Sequence, residues 1–422
     1  MSATIKELIN GYEFAWPDIG LVARATRLRL PSDGQVKGEL EVYQQQGNGR
    51  TQLLVPTQFN FSSEPTRTKY AKQLTDKLSQ EIEWREVFDY LSYEVQRLTR
   101  TGDTCVEVFP DASAPAPEQL LEAIIYRAVQ NIIFGEKGVA KSTLAYLLGL
   151  TVALPWHDNP LGLQVRSESI KALVLDWETD ESVFRYYTSR LQKGMGIPPC
   201  SLHYRRCAMP MADDIEAIQN HIEEAKAELL IVDSLGAAAG GEAGELKGAE
   251  SALRFNTALR RLRTHTGGPV TSLIIGQSPR NQDGAQKNIY GTVFFTYYAR
   301  NIFELCRAQD DMEDTAHLAL FHRACNLGRR IQPIGLRADY NDSTGAITIE
   351  REPVSVSEFS EKVSTTARIL EILKDGAMTQ KELKESLKCS YASLGMALSR
   401  LSKKQLITRV GEKWGLLADE VS

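Results

Sequence analysis

The densest chemistry in the chain lies between Ile132 and Thr143, in the segment IIFGEKGVAKST. An apolar run enters a loop with glycines at 135 and 138, then a lysine, two hydroxyl residues and an apolar helical stretch. A triphosphate requires inward-pointing amide donors and a cation in one concave nest, and a strand, a glycine loop and a helix N-terminus supply them together. The expected loop comprises Gly135, Glu136, Lys137, Gly138, Val139, Ala140, Lys141, Ser142 and Thr143. Within it Lys141 is assigned to the β and γ phosphates of ATP and Ser142 to Mg²⁺. A glycine is expected where Ala140 stands. Because Ala140 opens the helix, a negative φ is acceptable there, so its methyl group is expected to cost space and some affinity rather than backbone strain.

Three other strand ends supply what hydrolysis needs. ELLIVDSLG is a buried strand ending in Asp233, whose carboxylate is suited to orienting Mg²⁺ through water. ALVLDWETD ends a neighbouring strand with Asp176 and Glu178, and Glu178 is the candidate for polarising an attacking water. SLIIGQSPRN carries Gln277 just past its strand, where a neutral amide can sense a γ phosphate. Singly, these residues read as a loop cap, a helix-start carboxylate and a solvated turn. Together, at the carboxyl ends of parallel strands, they define one ligand crevice.

The elements that must position them follow from periodicity. NIIF, ALVLD, SLHYRR, ELLIVD and TSLIIG are short apolar runs alternating with helical patterns over 141–150, 180–193, 213–227 and 250–264, the mark of a buried parallel sheet in an α/β domain. NIFELCRA, HLALFHRACN, PIGLRADYN and AITIERE read as a strand meander appended to it. Before this core, three β-rich runs between Leu21 and Ser62 predict a small antiparallel meander, and Thr66 to Thr101 has the spacing of one or two amphipathic helices. PDASAPAPEQ reads as a linker. After a polar stretch, three helical patterns and a hairpin around Gly411 predict a winged helix. The expected domains are an accessory α+β domain over 1–109, an α/β ATPase core over 118–352 and a winged helix over 364–418.

With these residues in place, the order Gly135 to Ser142, Glu178, Asp233, Gln277 resembles the RecA-like ATPases, in particular the branch of the plasmid replicative helicase RepA and related phage and plasmid ATPases. The resemblance spans about 119–350. It implies a RecA-like P-loop core, ATP turnover, and a homo-oligomer of the hexameric-ring kind acting on DNA in replication or recombination of a mobile element. It also implies that Arg300, at the end of GTVFFTYYAR, is a finger reaching a neighbouring subunit's γ phosphate; the competing reading is an ion pair with Glu304 one helical turn on. GQSPR, with Gln277 and Arg280, matches the branch's His-x-x-Lys-like motif only loosely, and Ala140 departs from its loop.

A net charge of -5 gives no global sign of nucleic acid, so any basic surface must be local. Two places fit single-stranded or duplex DNA. The loop PRNQDGAQKNIYG offers Arg280, Lys287 and Tyr290 for phosphate contact and base stacking. In the terminal domain Leu394, Leu398 and Leu401 should face the core, leaving Tyr391, Ser393, Arg400, Lys403 and Lys404 outward. The alternative is a nucleotide-gated regulator whose winged helix binds an operator or a partner without translocation. Six scattered cysteines with no Cys-x-x-Cys pair argue against a zinc site or disulfide framework and favour a reducing cytoplasm. The best apolar run, LAYLLGLTVALPW, is too short to span a bilayer.

Overall fold

The structure is a computed structural model that describes residues 3–31, 33–46, 49–77, 82–102, 105–240, 249–278, 289, 294–308, 314–354, 359, 365–387 and 389–417. The chain divides into two compact units, Met1–Ala114 with Ile215–Gln219, and Pro115–Asp214 with Asn220–Ser422.

In the first unit five antiparallel strands pair in chain order: β1 (Thr4–Leu8), β2 (Gly11–Trp16), β3 (Leu21–Arg29), β4 (Lys37–Gln46) and β5 (Gly49–Asn60). The three-run meander read from the sequence therefore gains two strands. β1 escapes a pattern search because none of its side chains is fully buried. Helices α1 (Glu64–Lys77) and α2 (Trp84–Thr101) follow. α2 buries Trp84, Phe88, Leu91 and Val95 along one stripe at spacings of four, three and four. Phe88 meets Phe59 of β5 at a ring separation of 5.7 Å.

The second unit opens with a short hairpin, β6 (Gln119–Leu121) and β7 (Ile125–Tyr126). Its main sheet is built from β8 (Gln130–Gly135), β9 (Ala172–Asp176), β10 (His203–Arg206), β11 (Leu229–Asp233), β12 (Thr271–Gln277), β13 (Asn301–Ala308), β14 (Thr315–Cys325), β15 (Ile334–Asn341) and β16 (Ala346–Glu352). Their spatial order is β10-β9-β11-β12-β8-β13-β14-β15-β16. The first six are parallel and the last three add on antiparallel. β9 and β11 are buried at every position, as parallel strands covered on both faces must be.

The connecting helices are α3 (Lys141–Ala153), α4 (Glu181–Met195), α5 (Ile215–Ala225), α6 (Leu235–Ala238), α7 (Ala249–Arg261) and α8 (Phe294–Tyr297). α3 is apolar nearly all round and packs so closely that a Cβ on its Gly149 would come within 2.7 Å of Ile231 Cδ1 on β11. α4 begins on the Asp180 side chain, which accepts from the amides of Ser182 and Val183 at 2.9 and 3.2 Å, and ends at Gly196 in the left-handed region. Near its end Gly194 lies against β16, where a Cβ would sit 2.1 Å from the Ile347 carbonyl oxygen.

The chain ends with α9 (Thr365–Ile372), α10 (Gln380–Leu387) and α11 (Tyr391–Lys403), and with a three-stranded sheet of β17 (Met378–Thr379), β18 (Ile407–Val410) and β19 (Lys413–Leu416) in the order β17-β19-β18. These elements share a core of their own, including Ile369, Leu383, Leu394, Leu398, Leu401 and Ile407. A capping box starts α10: the Thr379 amide donates to Glu382 Oε2 at 2.7 Å, and the Glu382 amide to Thr379 Oγ1 at 3.3 Å.

Candidate nucleotide-binding and hydrolysis site

The glycine loop leaves β8 in the middle of the sheet, with β12 on one side and β13 on the other. Gly135 must be glycine because a Cβ there would stand 2.3 Å from the Leu305 carbonyl oxygen of β13. Gly138 has φ +84°, a conformation that glycine adopts without steric cost. Ala140 corrects the sequence reading. Its φ and ψ are 65° and 28°, so it caps α3 from the left-handed region rather than with a negative φ. The loop turns left-handed in order to aim the first helical amides, and an L-residue in that conformation costs roughly 1–2 kcal/mol. The loop is thus completed by a strained alanine where a glycine would relax.

Lys141 is buried and its ammonium donates to the Glu136 carbonyl oxygen at 2.6 Å, so the cation already sits inside the loop. Burial lowers its pKa, while Glu178, Asp233 and Glu136 pull it back up. Within the loop Glu136, Lys137 and Gly138 are exposed, and Val139 and Thr143 are buried.

Asp233 closes β11 at 3% exposure. Its Oδ2 accepts from the Tyr146 hydroxyl at 3.2 Å; its buried Oδ1 accepts no hydrogen bond of ordinary geometry among the described residues, and the Ser142 hydroxyl lies close enough to the carboxylate to favour its charged form. Burial pushes its pKa up to about 6, with Glu178 and Asp176 adding to the rise and the Ser142 and Tyr146 hydroxyls opposing it. A buried carboxylate oxygen left unpaired beside a hydroxyl and a lysine is what a hydrated magnesium ion in an NTP site uses, so the residues fit Mg²⁺·ATP: Ser142 would hold the ion and Asp233 its water. No cluster of three or more His, Cys, Asp or Glu among the described residues forms a self-sufficient metal centre. An ion shared with phosphates needs none.

Asp176 and Glu178 differ sharply in how they are used. Asp176 Oδ1 accepts from the Glu178 and Thr179 amides at 2.8 and 2.9 Å, and Oδ2 accepts from the Tyr204 hydroxyl at 3.1 Å and from the Thr179 hydroxyl. Four bonds saturate it, and it shapes the turn that presents Glu178. Glu178 is exposed; its Oε1 accepts from the Ser234 hydroxyl and from Gln277 Nε2 at 3.2 Å. The Trp177 amide donates to the Asp233 carbonyl oxygen at 2.7 Å, tying the ends of β9 and β11 together. Lys141, Asp233, Glu178 and Gln277, chosen from four separate strand ends, therefore converge.

Three participants escaped the sequence reading. Tyr146 looks like a core residue, and its only signal is lying four residues after Ser142 on the same face of α3. Ser234 follows Asp233 in chain order and could have been inferred as a neighbour. Arg307 Nη1 donates to the Gly138 carbonyl oxygen at 2.9 Å, with its guanidinium 5.5 Å from the Tyr340 ring centre; no motif marks it.

Arg300 is exposed just before β13, and its amide donates to the Gln130 carbonyl oxygen at 3.0 Å. β13 runs parallel to β8 with Asn301 opposite Asn131, so Arg300 lies at the start of β8 while the glycine loop lies at its end. At about 3.3 Å per residue the separation is roughly 16 Å, beyond the reach of its side chain. The alternative pairing with Glu304 is also removed: Glu304 is on a strand, 2% exposed, and held by Arg323 at 2.5 Å.

Arg280, Lys287 and Tyr290 lie outside the described residues. On α11, Leu394, Leu398 and Leu401 are buried and Tyr391, Arg400 and Lys403 are exposed, as is Lys404 just past its end, with Lys384 Nζ 4.5 Å from the Tyr391 ring centre. Ser393 is half-buried. No helix among the described residues is long and apolar enough to cross a membrane.

The mixed α/β fold, with a parallel-dominated sheet in which β12 lies between the glycine-loop strand β8 and the Asp233 strand β11, has the layout of a P-loop NTPase core. Residues 97–283 match the family model described as AAA domain. Among solved structures, a KaiC-like protein from the hyperthermophilic archaeon Pyrococcus horikoshii OT3 aligns at 15% identity and a TM-score of 0.39, covering 57% of this chain and 100% of that one. No curated protein matches the sequence.

Proposed function

We propose that this chain hydrolyses ATP at the Lys141–Asp233–Glu178 crevice and spends the turnover on DNA as an oligomeric motor of the RepA-helicase kind. One contact carries the hydrolytic half: Gln277 at the end of β12 donates to Glu178 at the end of β9, so an amide placed to feel the γ phosphate is wired to the carboxylate placed to polarise water. Ser142 and Asp233 would hold Mg²⁺, which would supply positive charge against the triphosphate. Lys141 leaves the Glu136 carbonyl for phosphate, and Glu178 accepts a proton from the water it orients.

The DNA half rests on the exposed Tyr391, Arg400 and Lys403 of α11 and Lys404 at its end, read as the recognition helix of a winged helix, and on Arg280, Lys287 and Tyr290 as single-strand contacts. The ring rests on Arg300, which is too far from its own glycine loop to act there. The experiment measures ATP turnover with no DNA, single-stranded DNA and duplex DNA, in wild type and Glu178→Gln. Wild type should be stimulated by DNA, and Glu178→Gln should retain ATP binding with turnover lower by roughly 10²-fold or more. Wild-type turnover in Glu178→Gln overturns the assignment of the base. Sequence-specific duplex binding without stimulation replaces the motor by a nucleotide-gated regulator.

A further inference from the structure

Two tyrosines stand under the two buried carboxylates of the crevice. Tyr146 of α3 donates to Asp233 Oδ2 at 3.2 Å and Tyr204 of β10 donates to Asp176 Oδ2 at 3.1 Å. Phe184 of α4 lies between them, edge-on to Tyr146 with ring centres 5.1 Å apart and stacked on Tyr204 at 4.7 Å. Tyr146 is 3% exposed, and Leu144, Ala145 and Leu147 around it are fully buried, so neither ring nor hydroxyl has freedom to move away.

We propose that Tyr146 is a positioning residue for metal–nucleotide binding: by occupying Asp233 Oδ2 it fixes the carboxylate so that the unpartnered Oδ1 is the atom offered to the water shell of Mg²⁺. This deepens the ATPase reading and rests on it. A carboxylate at the end of a strand can rotate about its last bond, and in a buried site it turns toward whichever donor is present. Ser142 and Tyr146 lie four residues apart on one face of α3, so a single helix carries both the hydroxyl that would ligate the ion and the hydroxyl that aims its outer-sphere partner. The Tyr146 hydroxyl bonds to a charged acceptor where water is excluded, so it restrains orientation more strongly than an exposed contact does. The ring itself packs edge-to-face with Phe184 within the apolar core, a contact that does not involve the oxygen.

Tyr146→Phe keeps that packing and deletes only the donor. Binding of Mn²⁺ to the ATP-saturated protein, followed by electron paramagnetic resonance, should weaken by about tenfold, the usual scale for loss of an outer-shell partner. The Mg²⁺ concentration for half-maximal turnover should rise in parallel, while metal-free ATP binding stays at the wild-type value. Tyr204→Phe, which removes the equivalent hydroxyl from Asp176, should leave the Mn²⁺ affinity unchanged. Wild-type Mn²⁺ affinity in Tyr146→Phe overturns the proposal, as does an equal loss in Tyr204→Phe, which would make the effect one of general packing. Failure of the wild-type protein to bind Mn²⁺ with ATP overturns the nucleotide reading, and this one with it.

Discussion

The two ends of β8 are built on opposite principles. At its carboxyl end polar groups are left wanting: Asp233 Oδ1 and the Ser278 hydroxyl are buried with no hydrogen bond of ordinary geometry among the described residues, Lys141 rests on a carbonyl, and Ala140 is held left-handed. At its amino end a buried polar network is closed. Asn131 donates to the Tyr126 and Ser272 carbonyls and accepts from the Tyr126 amide, and Asn301 donates to the carbonyls of Ala123 and Ile124. His322 joins them, with Nε2 2.7 Å from Asn301 Oδ1 and Nδ1 accepting from the Ile331 amide at 3.0 Å. That acceptor role fixes the proton on Nε2. Gln130 is the exception at this end, its side-chain amide buried and without a hydrogen-bond partner among the described residues. Unmet bonding capacity at one end suits a ligand; satisfied capacity at the other holds a backbone still. The backbone it holds is the one that presents Arg300.

The largest effect should come from breaking that link. Arg300→Ala should bind ATP normally and lose about 10³-fold or more in turnover, the scale of an arginine supplied in trans. Mixed with Lys141→Ala, it should recover activity, because some interfaces then combine an intact loop with an intact arginine. No recovery in subunits shown to co-assemble removes the trans role and leaves the amino end as scaffold alone.

A smaller effect tests the closed network. Burial lowers the His322 pKa from 6.5 to about 4, so the folded protein keeps the ring neutral while the unfolded chain protonates it. The stability this contributes is fully present above pH 6.5 and is lost as pH falls toward 4. His322→Phe should be about 1–3 kcal/mol less stable at pH 8, from the donor and acceptor it orphans, and its stability should fall less steeply between pH 6.5 and 4. Urea unfolding at several pH values measures both, and an unchanged slope would show that the proton is taken up elsewhere.

The smallest effect belongs to the strained end. Ala140→Gly should stabilise the protein or tighten ATP binding by about 1 kcal/mol, because glycine relieves the left-handed alanine. Weaker binding in a nucleotide titration would mean that the methyl group packs usefully.

Much of this was legible in the sequence, for identifiable reasons. Parallel strands buried on both faces are uninterrupted apolar runs, so β8, β9, β11 and β12 stand out, and their carboxyl ends pointed to Lys141, Glu178, Asp233 and Gln277. What escaped depends on distance along the chain. Glu304 is neutralised by Arg323, nineteen residues away on the next strand, so local spacing suggested Arg300 instead. The sign of φ at Ala140 is set by how the loop must meet α3, and residue type alone pointed the other way. Tyr146 spends its ring in the core and only its oxygen in the site, so hydrophobic patterning absorbed it.

Gly194 gives α4 a mechanical meaning. The helix is a rod of fifteen residues, about 22 Å long at 1.5 Å per residue. Its far end bears on the Ile347 carbonyl at a separation that admits no side chain, and its near end begins three residues after Glu178, past the turn shaped by Asp176. With the bearing at Gly194, a 1 Å displacement of the Glu178 turn tilts the rod by about 3°. The antiparallel strand β16 is thus the bearing about which any tilt of α4 would turn.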